Sequence, residues 1–158
     1  MEAVCLLAEP SVCLYVVVML SLQHVVPVLI GLGFVAVMSL VRNPTTRLQL
    51  NAAIAVGASG IYLSGGTFGP WELLACAAIF VYAYRGFRSW TWVGVAWLLH
   101  TVLDTAHAVQ GADLLPWAPH SSLGCAICDP VIALWCFAGG RPLDQLLRRT
   151  HRTELVEQ

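Results

Sequence analysis

His100, Asp104 and His107 stand i, i+4, i+7 apart inside the apolar stretch Trp90 to Val109. On a helix turning about 100° per residue, that spacing confines all of them to an arc of about 60°. Both imidazoles and the carboxylate can then point at one centre. Ionisable side chains are expensive inside a bilayer and usually face a bundle interior or a wet cavity, so each is a candidate for function. Two imidazoles with carboxylates suit Zn, Fe, Mn or Ni, and a carboxylate holding the second histidine nitrogen is the usual support. The expectation is a membrane-embedded site for a divalent transition metal (Zn, Fe or Mn). His100, Asp104, His107 and His120 would be ligands, with Asp129 or Glu72 as a further ligand or general base. Such a metal would polarise a carbonyl or phosphoryl group of a lipid or small apolar substrate, or activate water or oxygen. The plainer reading is a structural or partner subunit in which a His–Asp network glues helices, at about 0.6 kcal/mol per bond.

Cys125-Ala-Ile-Cys128 has thiol-exchange spacing at the start of an apolar stretch and supports a second chemistry, that of a membrane thiol–disulfide oxidoreductase. Its weakness is the missing second dithiol, because Cys5 and Cys13 are the other candidates on that side. Pro130 removes a backbone donor and disfavours helical geometry at Asp129, predicting a kinked or broken helix there. The alternative, Asp129 capping a helix that starts at Pro130, leaves a segment too short to cross. The Gly-rich run Ser64 to Pro70 lacks Gly-Lys-Ser/Thr, so it is read as a helix start, with Pro70 first and Glu72 in the first turn.

The elements that carry these residues follow from composition. The chain has 158 residues, 58% hydrophobic and 11% charged, where soluble domains run at roughly 45 to 50% and about 25%. A mean hydropathy of +0.75 places it among multi-pass membrane proteins. Eight basic residues, all arginine, against nine acids give a net charge of -1 and remove the basic footprint of a nucleic-acid binder. The fold class expected is all-α, a polytopic transmembrane bundle of four to five helices, and an active site shared within a homo-oligomer fits so small a chain.

Apolar stretches run from Ser11 to Val41, Leu48 to Leu63, Trp71 to Tyr84, Trp90 to Val109 and Ser122 to Ala138. The first is overlong for a bilayer needing about 20 residues, so it must tilt, protrude or break near Pro27. Residues 1–23 read as an extension forming the outer part of the first helix, 24–140 as the bundle and 141–158 as an Arg-rich cytoplasmic tail. The start carries Glu2 and Glu9 without a basic residue, unlike a signal peptide, and is expected to be retained, although Met19 would also serve as a start. All eight arginines fall on one side of an odd number of spans. The positive-inside rule puts that side in the cytoplasm of a bacterial inner membrane and the N-terminus outside. Every intramembrane ionisable group then lies in the outer half, including His24. The small residues between Asn51 and Gly60 suit the bundle interior, and Trp71, Trp90, Trp92 and Trp117 read as interfacial anchors.

The strings Tyr62-Leu-Ser-Gly-Gly-Thr-Phe-Gly-Pro-Trp-Glu72, Trp97-Leu-Leu-His100 with Asp104 and His107, and Ser121 to Trp135 around Cys125-Ala-Ile-Cys-Asp-Pro130 are similar to the domain-of-unknown-function 6010 family of short bacterial integral membrane proteins. The likeness covers about Val25 to Gly140. It implies a small multi-helix inner-membrane protein and carries over no catalytic role.

Overall fold

The computed structural model describes residues 10–65 and 67–145, with side chains at 22–63 and 67–145. Every regular element among them is an α-helix: α1 (Pro10–Ser39), α2 (Pro44–Ser59), the single turn α3 (Tyr62–Gly65), α4 (Pro70–Gly86), α5 (Trp90–Val109) and α6 (Ser121–Phe137). The five long helices overlap the five apolar stretches, and the second begins four residues ahead of its stretch. Asn43 accepts from the amides of Thr45 and Thr46 at 2.9 and 3.1 Å, and Pro44 occupies the first turn of α2. Among the described residues, Leu22–Ser39 is the one stretch long and apolar enough to cross a membrane by length and composition. Cys5, the Cys13 side chain and the tail beyond residue 145 fall outside the described residues.

Of the alternatives at the two prolines, the breaks and the Asp129 cap are not found. The first helix does not break at Pro27, which lies inside a continuous helix of 30 residues. Pro130 likewise lies inside α6, which is unbroken over 17 residues, so Asp129 caps nothing. A proline interrupts a helix at about 3 kcal/mol or more; here α6 is clamped between α1 and α5, and that packing holds it together. At Gly31 the seam with α1 is so close that a Cβ would stand 3.0 Å from both the Cys128 carbonyl oxygen and the Val131 Cβ. Only glycine admits that approach.

α5 is the hub, packing on α6, α4 and α2, while α2 also packs on α4. One face of α2 is built of buried small residues, Ala52, Ala55 and Ser59, which lets the neighbouring backbones come near. Around α5 the core divides into a larger cluster containing Val35, Trp97, Ile132, Trp135 and Cys136, and a smaller one of Tyr62, Cys76, Ile79 and Leu114.

The five arginines of the described residues gather at the end where α2 and α5 begin and α6 finishes. Arg47 is buried there: its Nε donates to the Gly140 carbonyl at 2.8 Å and its Nη1 to the Val41 carbonyl at 2.6 Å. Trp90, expected as a surface anchor, instead packs edge-on against Trp135 at 5.3 Å. Its ring also fills the space a side chain at Gly140 would need. Trp71 and Trp117 are exposed.

Candidate functional site

Within α5, the i, i+4, i+7 spacing does put His100, Asp104 and His107 on one buried face. That face meets two different neighbours. α2 stops at Ser59, and the chain re-enters a helical turn at Tyr62, carrying its phenol across to α5. The Tyr62 hydroxyl lies 2.8 Å from His100 Nδ1 and 2.6 Å from Asp104 Oδ1. On its other side His100 Nε2 donates to the Ala55 carbonyl at 2.9 Å. One turn further along α5, His107 Nδ1 donates to the Leu103 carbonyl at 2.9 Å, and Nε2 meets Glu72 Oε1 at 3.0 Å. The same Glu72 oxygen accepts from the Phe68 amide at 3.1 Å, tying the Gly-rich loop to the site.

Hydrogen counting makes the Tyr62 bridge informative. A carbonyl can only accept, so His100 Nε2 carries a hydrogen. The phenol has one hydrogen and two partners. If it points to Asp104, His100 Nδ1 must bring its own hydrogen, and the pair is imidazolium and carboxylate. If it points to His100, Asp104 must hold the proton on Oδ1, and both groups are neutral. The two states have the same composition and differ by one hydrogen moving along each of two short bonds. The heavy-atom geometry is compatible with either state.

Asp104 is 1% exposed, and its Oδ2 meets no donor. The nearby group is another acid: Asp129, on α6, stands close enough to share a hydrogen bond with Asp104 when one of them is protonated. Asp104, Asp129, Tyr62, His100 and Cys125 line a cavity of about 70 Å³, with Trp97 among its apolar walls. Liquid water occupies about 30 Å³ per molecule, so the space suits one or two waters or a group of a few heavy atoms.

The expected site residues therefore separate. Asp104, His100, Asp129 and Cys125 come together around the cavity, and Glu72 pairs with His107 beside it. His120 does not join them: it is exposed, in left-handed geometry with φ 61° ahead of α6, and lines a separate groove with Asp113. Cys128 packs on the larger core cluster and Cys125 on the smaller one, and both are free thiols. His24 is exposed on α1. Among the described residues no group of three or more His, Cys, Asp or Glu is placed to hold a metal ion. Both nitrogens of each site imidazole already engage a carbonyl, phenol or carboxylate.

Sequence reasoning missed Tyr62, the residue that links the others. It also missed Asn51, whose Oδ1 accepts from Trp97 Nε1 at 2.8 Å and fixes the floor of the site. The available signals were a polar residue, Asn51, about two turns inside α2 and a tyrosine immediately before the Gly-rich loop.

The family of unknown function DUF6010 matches residues 22–142, most of the chain, and the chain belongs to that family. No curated protein and no solved structure matches it.

Proposed function

We propose that this member of the DUF6010 family is a multi-pass protein of the bacterial inner membrane whose outward half holds a buried acid–base site. In this reading His100, Tyr62 and Asp104 pass a proton to and from a small group held beside Asp129 and Cys125. The membrane placement is supported by the apolar surface the bundle presents, including exposed Val25, Leu29, Ile30, Leu73, Leu74, Phe80, Val102 and Leu134. Soluble proteins rarely expose contiguous apolar patches on this scale. With the arginine end in the cytoplasm, the N-terminus lies outside, the C-terminus is cytoplasmic, and the histidines, Glu72 and both site aspartates fall in the outer half.

The observation that carries the acid–base reading is the Tyr62 hydroxyl bridging His100 and Asp104 at 2.8 and 2.6 Å. It is tested without knowing the substrate. Infrared difference spectra of the protein in lipid, recorded across pH, follow the Asp104 carboxyl stretch, assigned by Asp104→Asn. The titration of that band should depend on His100 in wild type, changing in His100→Gln, and should lose that dependence in a Tyr62→Phe background. If His100→Gln shifts the band equally with and without the phenol, the relay is rejected.

A metal-dependent enzyme acting on a lipid or small apolar substrate is the second reading, favoured by the donor-free Asp104 Oδ2 beside Asp129 and Cys125. Binding Zn, Fe or Mn through His100 or His107 would require an imidazole to leave its present partners. Its test is the metal content of detergent-purified wild type beside His100→Ala/His107→Ala, normalised to folded protein. Near-stoichiometric metal lost in the variant supports it, and equal trace content in both rejects it.

A further inference from the structure

We propose that the groove between the end of α4 and the start of α5, at the arginine end, binds the phosphate of an anionic phospholipid headgroup. Tyr84, Arg85, Phe87, Arg88, Ser89 and Trp92 enclose about 570 Å³ there. The inference rests on the membrane placement above, which puts this groove at the cytoplasmic headgroup level.

The arginines at this end have different occupations. Arg47 is spent on two backbone carbonyls, and Arg42 pairs with Asp144 at 3.4 Å. Arg85 and Arg88 meet no carboxylate among the described residues; Arg85 lies with its guanidinium carbon 5.5 Å from the Trp92 ring centroid, which orients it across the groove. Two guanidinium groups on one groove match phosphate oxygens, since each offers a planar fork of N–H donors. The groove floor adds to this. α5 starts here after Ser89, no side chain caps its first amides, and their N–H groups with the positive end of the helix dipole favour an anion.

The surroundings select a lipid over a soluble phosphate. One turn back along α4 from Tyr84 and Arg85 are Phe80 and Val81, both half exposed. Phe80 and Tyr84 stack at 6.3 Å with an interplanar angle of 10°. An apolar strip therefore leaves the groove toward the middle of the bundle, where acyl chains would run, while Tyr84 and Trp92 sit where aromatic side chains flank headgroups. Basic pockets between membrane helices on the cytoplasmic side are recurrent sites for such lipids.

The test compares wild type, Arg85→Gln/Arg88→Gln, and Arg42→Gln/Arg141→Gln, which removes equal charge from the same end. Each full-length protein is reconstituted in nanodiscs of phosphatidylcholine with increasing phosphatidylglycerol, and bound phosphatidylglycerol is read by native mass spectrometry. At about one surface-lipid increment per arginine, the first variant should bind phosphatidylglycerol roughly thirtyfold more weakly than wild type. The control variant should stay within a few fold. Equal loss in both variants overturns the groove, because bulk charge then suffices. Displacement of phosphatidylglycerol from wild type by millimolar inorganic phosphate at constant ionic strength overturns the lipid as ligand. Recovery of wild type in the aqueous fraction without detergent is a different failure, that of the membrane placement itself.

Discussion

Replacing Tyr62 by Phe removes one oxygen and two short hydrogen bonds, and the site geometry sets the expected loss. Side-chain hydrogen bonds in membrane proteins average about 0.6 kcal/mol and reach about 1.7, which for two bonds gives a range of roughly 1 to 3.5 kcal/mol. The value should fall in the upper part. His100 and Asp104 are 2% and 1% exposed, so neither Nδ1 nor Oδ1 can turn to bulk water, and Asp104 Oδ2 already lacks a donor. Stranding buried polar atoms adds about 1 to 3 kcal/mol. We expect a loss of about 2 to 3 kcal/mol, read as a shift in the midpoint of reversible unfolding in mixed micelles of rising SDS fraction. The partner test is the same change in an Asp104→Leu background, where no carboxylate is left to strand. There Tyr62→Phe should lose only the bond to His100, about 0.6 to 1 kcal/mol. The resulting coupling of more than 1 kcal/mol lies well outside the roughly 0.3 to 0.5 kcal/mol within which independent changes add. Additive losses would show that the phenol stabilises the fold by packing alone and that it does not couple to Asp104.

At the arginine end, Gly140→Ala should destabilise by about 2 kcal/mol or more in the same unfolding assay. Gly140 has φ 56°, and a Cβ would lie 2.3 Å from Trp90 ring carbons; Gly33→Ala, with no neighbour within 4 Å, should be neutral or slightly stabilising. Arg47→Gln strands two carbonyls and should lose about 2 to 3 kcal/mol, whereas Arg42→Gln, breaking an exposed pair with Asp144, should lose under about 1 kcal/mol. In a cysteine-free background, Asp113→Cys should react with a membrane-impermeant maleimide on intact spheroplasts and Asp144→Cys only after lysis. The reverse pattern would invert the topology, and equal labelling would reject the spanning arrangement.

Much of the fold was legible because apolar length and punctuation are local. Pro70 marks a helix start in the sequence and in the structure alike, while the second helix begins at Pro44, four residues before the apolar stretch. The face shared by His100, Asp104 and His107 was legible too, since periodicity fixes direction around an axis. Convergence was not, because a shared face says nothing about what stands opposite. His100 faces α2 and Tyr62, while His107 faces the start of α4 and Glu72, so one stripe serves two partners. Tyr62 was hidden by its position near a span end, where an aromatic residue reads as an anchor. Its role depends on α2 stopping at Ser59 and restarting as α3. The burial of Arg47 was not legible for a related reason: an arginine count assigns sidedness, whereas burial is decided by whether backbone carbonyls such as those of Val41 and Gly140 are left open at a helix junction.

The floor of the site bears on which function the relay can serve. Beyond His100 the hydrogen-bond chain ends on the Ala55 carbonyl, an acceptor with no proton to hand on. Beneath it the Trp97 ring lies 5.4 Å from the imidazole and is held by Asn51. Val93, Ala96 and Ala52, all fully buried, continue the apolar plug toward the arginine end. A proton pump or coupled transporter needs acid–base groups on both sides of its barrier, and among the described residues the buried titratable groups between His100 and the arginine end are the Arg47 guanidinium, already donating to two carbonyls, and the Cys136 thiol in the core. In the proposed acid–base reading, protons reach Asp104 from the histidine end, past Glu72 and His107, or through the cavity at Asp129. Access of this kind would suit the local acid–base chemistry proposed above, with Trp97, held by Asn51, closing the floor of the site.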